Sequence, residues 1–284
     1  MRIARSAAGT AEPIAALPIA ALPMYDYPEL AAAHDALWSA VADGLNAMGV
    51  GDPPRILTRN LGHFDIWRHP RLLLGQGCEY PLATSIARCV RLVATPRYAV
   101  PGCEGARYRS AVVVRDQDPA ETLADLRGRR CAVNEPDSNS GMNFLRAAIA
   151  PLSGGARFFE SVAWSGSHRK SAEMVANGHA DVAALDCVSF AHFQRLYPSS
   201  VADLRILCWT DLSPSLPFIT ALATSDTTLQ ALRAALASVI TDSTLGSVRE
   251  QLFLDGFDFE PADDFAAVLN LERRAIEFGY PVLL

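Results

Sequence analysis

Hydrophobic positions in this chain switch between two repeats, and each switch predicts an element. Between residues 28 and 48, Leu30, Leu37, Val41, Leu45 and Met48 recur at three- to four-residue spacing, a helix that Gly49 stops. Short unbroken apolar runs predict strands at 19–24, 55–58, 72–74, 92–98 and 110–114. The next stretch gives a short helix at 123–128, a strand at 131–134 and a helix opening at Ser140. A strand at 158–164 then leads into a helix from Arg169 that Asn177-Gly178 ends. A buried strand at 181–186 finishes on a carboxylate, Asp186. A helix at 190–196, strands at 205–210 and 218–224, and tail helices at 229–240, 245–254 and 263–278 complete the pattern. Such alternation predicts an α/β fold with doubly wound sheets, in which ligands gather at the carboxyl ends of strands.

Three loops fall at that end in the second half. Residues 134–143 turn from a strand into a helix, and a helix start leaves backbone N–H groups unpaired at its partially positive pole. Ser138, Asn139 and Ser140 add side-chain donors. Gly141 lets a ligand approach the backbone, where Gly141 and Met142 offer N–H groups, the chemistry of an oxyanion cradle. An ordinary helix cap uses the same residue types. The coincidence with Ser165-Gly166-Ser167-His168 at a second helix start, and with Asp186 at a third strand end, favours binding.

Composition narrows the partners. The chain has 284 residues, half of them hydrophobic, enough for one large domain or two modest ones. A net charge of −6 argues against nucleic acid or an acidic membrane surface, while leaving a small anion free to bind through neutral dipoles. Met1-Arg2-Ile3-Ala4-Arg5 is basic, but Pro13, Pro18 and Pro23 interrupt the apolar residues that a secretory signal needs. The chain as written therefore reads as cytoplasmic, with export to the periplasm as the alternative. No segment approaches a membrane span of ~18 apolar residues. The six cysteines form no CxxC and no metal-ligand spacing. Cys131, Cys187 and Cys208 read as small hydrophobes, and a Cys78–Cys103 or Cys89–Cys103 bridge stays open. Trp38, Phe144 and Phe190 fall on apolar helix faces, and His63, His69, His179 and His192 show no ligand spacing.

Read together, Leu22-Pro23-Met24-Tyr25-Asp26, Ser138-Asn139-Ser140-Gly141, Ser165-Gly166-Ser167-His168 and residues 177–186 resemble the phosphonate, phosphite and phosphate substrate-binding proteins of ABC importers. That family carries an S-T-S-G-like turn, a T-G-S-H turn and a G-x-x-D-x-A-x-x-D strand, and the resemblance covers about residues 19–257. It implies a two-lobed type II periplasmic-binding-protein fold, each lobe a mixed sheet flanked by helices. One lobe is residues 1–109 plus 212–284, the other 110–211, with the ligand between them. It further implies that Ser138, Asn139 and Ser140 receive the phosphonate oxygens. Asn139 stands where a Thr is common, which keeps a donor and changes its reach.

Tyr25, Asp26, Gln76 and Tyr80 are expected on the facing lobe, Tyr25 as a phenol donor and Tyr80 ahead of its neighbour Cys78. Asp26 reads as a helix cap or a partner for a ligand cation. Ser165, Ser167 and a neutral His168 join the rim, and Asp186 either holds a ligand amine or accepts from nearby backbone. The implied protein is a receptor without cofactor or metal, whose partners are a small anion and an ABC permease. The alternative is a cytoplasmic enzyme of the same fold acting on a small carboxylate, as in menaquinone synthesis.

Overall fold

A computed structural model describes residues 17–260 and 265–284; the basic N-terminal stretch lies outside the described residues. Twelve strands there form two five-stranded sheets and a two-stranded ribbon. The first sheet runs in the order β1 (Ile19–Ala21), β2 (Leu72–Gln76), β11 (Phe218–Ala221), β3 (Val90–Tyr98), β12 (Leu254–Asp258). The second runs β7 (Ser161–Trp164), β6 (Arg130–Val133), β8 (Val182–Asp186), β5 (Ser110–Arg115), β9 (Leu204–Trp209). Between them β4 (Arg107–Tyr108) pairs antiparallel with β10 (Ser213–Pro214), so the chain crosses twice between two lobes.

Both sheets are mixed rather than all-parallel. In the first, only β1 and β2 run parallel. In the second, β7, β6 and β8 form a parallel block, and β5 pairs antiparallel with both β8 and the edge strand β9. That parallel block aims three strand ends at one edge. β6 and β8 are almost wholly buried, as strands covered on both faces must be.

The helices follow the sequence period closely where the apolar stripe is long. α1 (Ala31–Ala47) buries Leu37, Trp38, Val41 and Leu45 against the first sheet and α8 (Asp226–Thr241). A single 3-10 turn at Pro28–Leu30 precedes α1, with Pro28 at its first position, where the missing N–H leaves no bond unmade. α2 (His63–Trp67) and α3 (Glu79–Pro81) flank β2. α4 (Phe144–Ser153), α5 (His168–Ala176) and α6 (Cys187–Leu196) each follow one strand of the parallel block, and α7 (Pro198–Val201) extends the last.

Two expectations fail. Residues 55–58 form no strand; Thr58 gives one backbone bond to Ala20 and the segment stays irregular. The helix expected at 245–254 stops early: α9 (Gly246–Gln251) turns at Phe253, whose φ of 53° breaks it, and β12 begins. Pairing with β3 decides this, since an apolar run of a few residues serves either element.

α10 (Phe265–Glu277) and the chain end pack on the second lobe's core. Ala275, Tyr280 and Leu283 join Val112, Leu145 and Phe158 there, and the Phe158 and Phe159 N–H groups donate to the Leu284 carbonyl. Among the described residues no helix is long and apolar enough to cross a membrane.

Candidate functional site

A cavity of about 570 Å³ lies between the two lobes, over the carboxyl ends of the parallel block. Three adjacent strands end there, and each hands its chain to a helix through a capping side chain. After β6, Ser138 accepts from the Gly141 N–H at 3.0 Å and opens a single π-helical turn, Asn139–Asn143, ahead of α4. After β7, Ser167 accepts from the Lys170 N–H at 3.2 Å and opens α5. After β8, Asp186 accepts from the Ser189 N–H at 2.7 Å and opens α6. The β6 and β7 loops are tied to each other by the Ser165 N–H to Val133 and the Gly166 N–H to Asn134. Three helix N-termini thus face one space, and all three caps line it.

Charge is handled sparingly. His168 lies at the first turn of α5 with Nε2 2.9 Å from Ser140 Oγ; burial pushes its pKa down to about 4, against the pull of the Ala184 carbonyl. It is therefore neutral at pH 7, with its Nδ1 buried on the Ala184 side. The Ser140–His168 contact has the reach of a hydrogen bond between a hydroxyl and a neutral imidazole. Asp186 is 2 % exposed, and burial raises its pKa to about 6 although Ser189 and Tyr25 both hydrogen-bond it. Desolvation outweighs the cap and the helix dipole together, the latter worth only ~0.3–2 kcal/mol. Glu79, the residue after Cys78, is buried, and burial lifts its pKa well above the usual carboxylate value.

The facing lobe closes on these groups. Tyr25 donates to Asp186 Oδ2 at 3.0 Å, Tyr27 to Ser189 Oγ at 3.1 Å, and the Asn139 N–H to Cys78 Sγ at 3.4 Å. α2 supplies an apolar wall, in which His63 stacks on Trp67 with ring centroids 5.6 Å apart. The Trp67 indole is fixed by donating to the Gln76 carbonyl.

Of the residues expected at a site, Tyr25, Ser138, Ser140, Ser167, His168 and Asp186 line the cavity. The others sit elsewhere. Asn139 is fully buried, donating to Tyr108, and Met142 belongs to the second lobe's core. The Gly141 N–H is taken by Ser138, and a Cβ at Gly141 would stand 1.8 Å from Asn134 Oδ1. That glycine makes room for a neighbouring side chain rather than for an approaching ligand. Ser165 bonds Ser171 and the Ser167 carbonyl. Asp26 caps no helix; it pairs with Arg59 at 2.6 Å and His34 at 3.4 Å. Gln76 is buried against Tyr98, and Tyr80 turns away to Glu272 on α10.

Cys78, not Tyr80, reaches the cavity, because α3 starts right after Cys78 and carries Tyr80 round its far side. Sequence reasoning also missed His63, Phe64, Trp67, Asn134, Glu135, Asp137 and Arg169. The acidic pair was in plain view beside Ser138. The α2 wall lies in a segment whose pattern shows no ligand spacing.

Three comparisons place this geometry. A family model for the periplasmic phosphonate substrate-binding protein of ABC transporters matches residues 75–270. Among solved structures, the chain is similar to a binding component of an ABC phosphonate transporter from Pseudomonas aeruginosa, at 15% identity and a TM-score of 0.72, covering 92% of this chain and 87% of that one. It is similar to PhnD1 from Prochlorococcus marinus in complex with methylphosphonate, at 12% identity and 0.70, covering 91% and 98%. It is also similar to a Xanthomonas citri protein bound to ATP, at 18% and 0.66, covering 92% and 97%. At such identities these structures speak for the two-lobed fold. No curated protein sequence matches. The family match spans more than half of the chain: this protein belongs to the phosphonate-binding family of periplasmic substrate-binding proteins of ABC transporters.

Proposed function

We propose that the chain captures a small phosphonate or phosphate-like ester that also carries an amine, and delivers it to an ABC permease for uptake. One observation carries this reading: three helix caps, one of them a buried carboxyl, share one interlobe cavity. The oxyanion takes the Ser138, Ser140 and Ser167 hydroxyls, with neutral His168 as a further donor. A zwitterion fits better than a plain anion, because the lining includes Glu135, Asp137 and Asp186 against the single guanidinium of Arg169. Asp186 takes the ammonium. Cation binding there offsets the desolvation that raises its pKa.

Tyr25–Asp186 and Tyr27–Ser189 are contacts of the closed lobes, and a ligand that completes them shifts the population toward closure. We place the lobes at residues 1–109 plus 212–284 and 110–211, with α10 as a strap over the second. The family's setting supports a periplasmic chain over the cytoplasmic reading drawn from the N-terminus. It also favours the receptor over the enzyme alternative. A thermal-shift series tests the proposal, with methylphosphonate, an aminoalkylphosphonate, phosphite, phosphate and small carboxylates. At 100 times its Kd a true ligand adds about 2.7 kcal/mol of stability. Shifts with carboxylates alone would overturn the phosphonate assignment.

A further inference from the structure

Cys103 and Cys187 place their sulfurs 3.5 Å apart, and they come from opposite sides of the hinge. Cys103 lies between β3 of the first sheet and the β4 crossing; Cys187 is the first residue of α6, next to Asp186. The sequence left Cys103 to pair with Cys78 or Cys89, but Cys78 faces the cavity and Cys89 is exposed.

The contact is built, not incidental. Gly102 has φ of 94°, and a Cβ there would stand 2.8 Å from the Cys187 Cβ and 2.7 Å from the Trp209 ring. Only glycine both adopts that backbone and lets the loop press so close to the second lobe. The sulfurs are in van der Waals contact, against the ~2.05 Å of a disulfide.

We propose that Cys103 and Cys187 are a disulfide-forming pair that staples the two lobes beside the hinge. The family's periplasmic setting is the kind in which such bonds persist. The co-reactant is a disulfide, either a small one such as oxidised glutathione or that of a thiol oxidoreductase. Partly exposed Cys103, as thiolate, attacks one sulfur of the donor and expels the other as a thiol, leaving a mixed disulfide. Cys187, as thiolate, then attacks the Cys103 sulfur and expels the second donor thiol. The two cysteines lose two electrons and two protons, and the donor gains them as two thiols. The order is fixed by exposure, since Cys187 is buried. The bond would hold α6, and with it Asp186, against the loop before the hinge.

The test treats the full chain with oxidised glutathione, alkylates the remaining thiols after unfolding, and maps the non-reduced digest. The expected result is a Cys103–Cys187 crosslinked peptide. The oxidised form should melt ~5–10 °C above the same protein in dithiothreitol. Cys103→Ser and Cys187→Ser should each erase that redox-dependent difference while Cys89→Ser keeps it. Both cysteines recovered alkylated, or Cys103 found crosslinked to another cysteine, would overturn the proposal. So would a redox-dependent melting shift that survives in both Ser variants.

Discussion

The two walls of the cavity are made by different means. On the second lobe, polar groups stand on the ends of the parallel block, each locked by a helix-cap bond: Ser138 to Gly141, Ser167 to Lys170, Asp186 to Ser189. On the first lobe, Tyr25, Tyr27, Cys78 and the aromatic face of α2 come from loops and short helices, and most of their surface is apolar. One wall is preorganised for charge, with donors fixed before any ligand arrives. The other excludes water when the lobes meet, which strengthens every hydrogen bond on the first. On the proposed reading, the division lets an acidic protein hold an anion without a cluster of cations.

Breaking the polar wall should have the largest effect. Charge-assisted hydrogen bonds contribute about 1.5–3 kcal/mol each. The double variant Ser138→Ala/Ser140→Ala should therefore lose about 3–6 kcal/mol of phosphonate binding, read by calorimetric titration. Ser138→Ala alone also removes a cap, so its ligand-free melting temperature should fall with a cost of about 1 kcal/mol. Undiminished affinity in the double variant would mean that the caps serve only the helices.

Asp186 sharpens the comparison through pH. Its folded pKa of about 6 lies above the unfolded value near ~3.9, so the folded chain holds the extra proton between those limits. Stability contributed by this carboxyl falls as pH rises through that window and stays low above it. Asp186→Asn keeps an acceptor for the Ser189 N–H and should stabilise the ligand-free protein at pH 7 by about 2–3 kcal/mol. The same change should weaken an aminoalkylphosphonate at least tenfold and methylphosphonate far less. His168 has the opposite sign: a folded pKa of about 4, below the usual ~6.5, makes its contribution rise with pH between those values. His168→Gln should therefore flatten the acid limb of the stability profile, measured by urea denaturation from pH 4 to 7.

Gly141→Ala tests whether the polar wall is set by packing. The new methyl must displace the Asn134 side chain, with an overpacking cost of about 1–3 kcal/mol. A melting temperature equal to the parent would show that Asn134 moves freely. Tyr80→Phe marks the smallest effect. Its hydroxyl is bound to Glu272 outside the cavity, so affinity should change less than twofold.

The two walls also differ in how far the sequence reveals them. The second lobe's loops could be found because one local rule, a cap residue between an apolar run and a helical stripe, places Ser138, Ser167 and Asp186 at strand ends. Their neighbours Asn139, Gly141 and Met142 share the motif but not the cavity, because a turn of helix sends successive side chains in different directions. The first lobe offers no such rule. Asp26 has the sequence of a cap and becomes an ion-pair partner of Arg59; Tyr80 looks like a contact and becomes an anchor for α10.

By itself the sequence determined the alternation of strands and helices, the capped loops, and the kind of protein, since those depend on local periodicity and residue chemistry. Only the tertiary structure decided the strand order of the sheets, the β12 edge, the α2 wall and the meeting of Cys103 with Cys187. Each of those rests on contacts between residues far apart in the chain. Pairing free energies and burial, not local pattern, select among the arrangements that such segments allow.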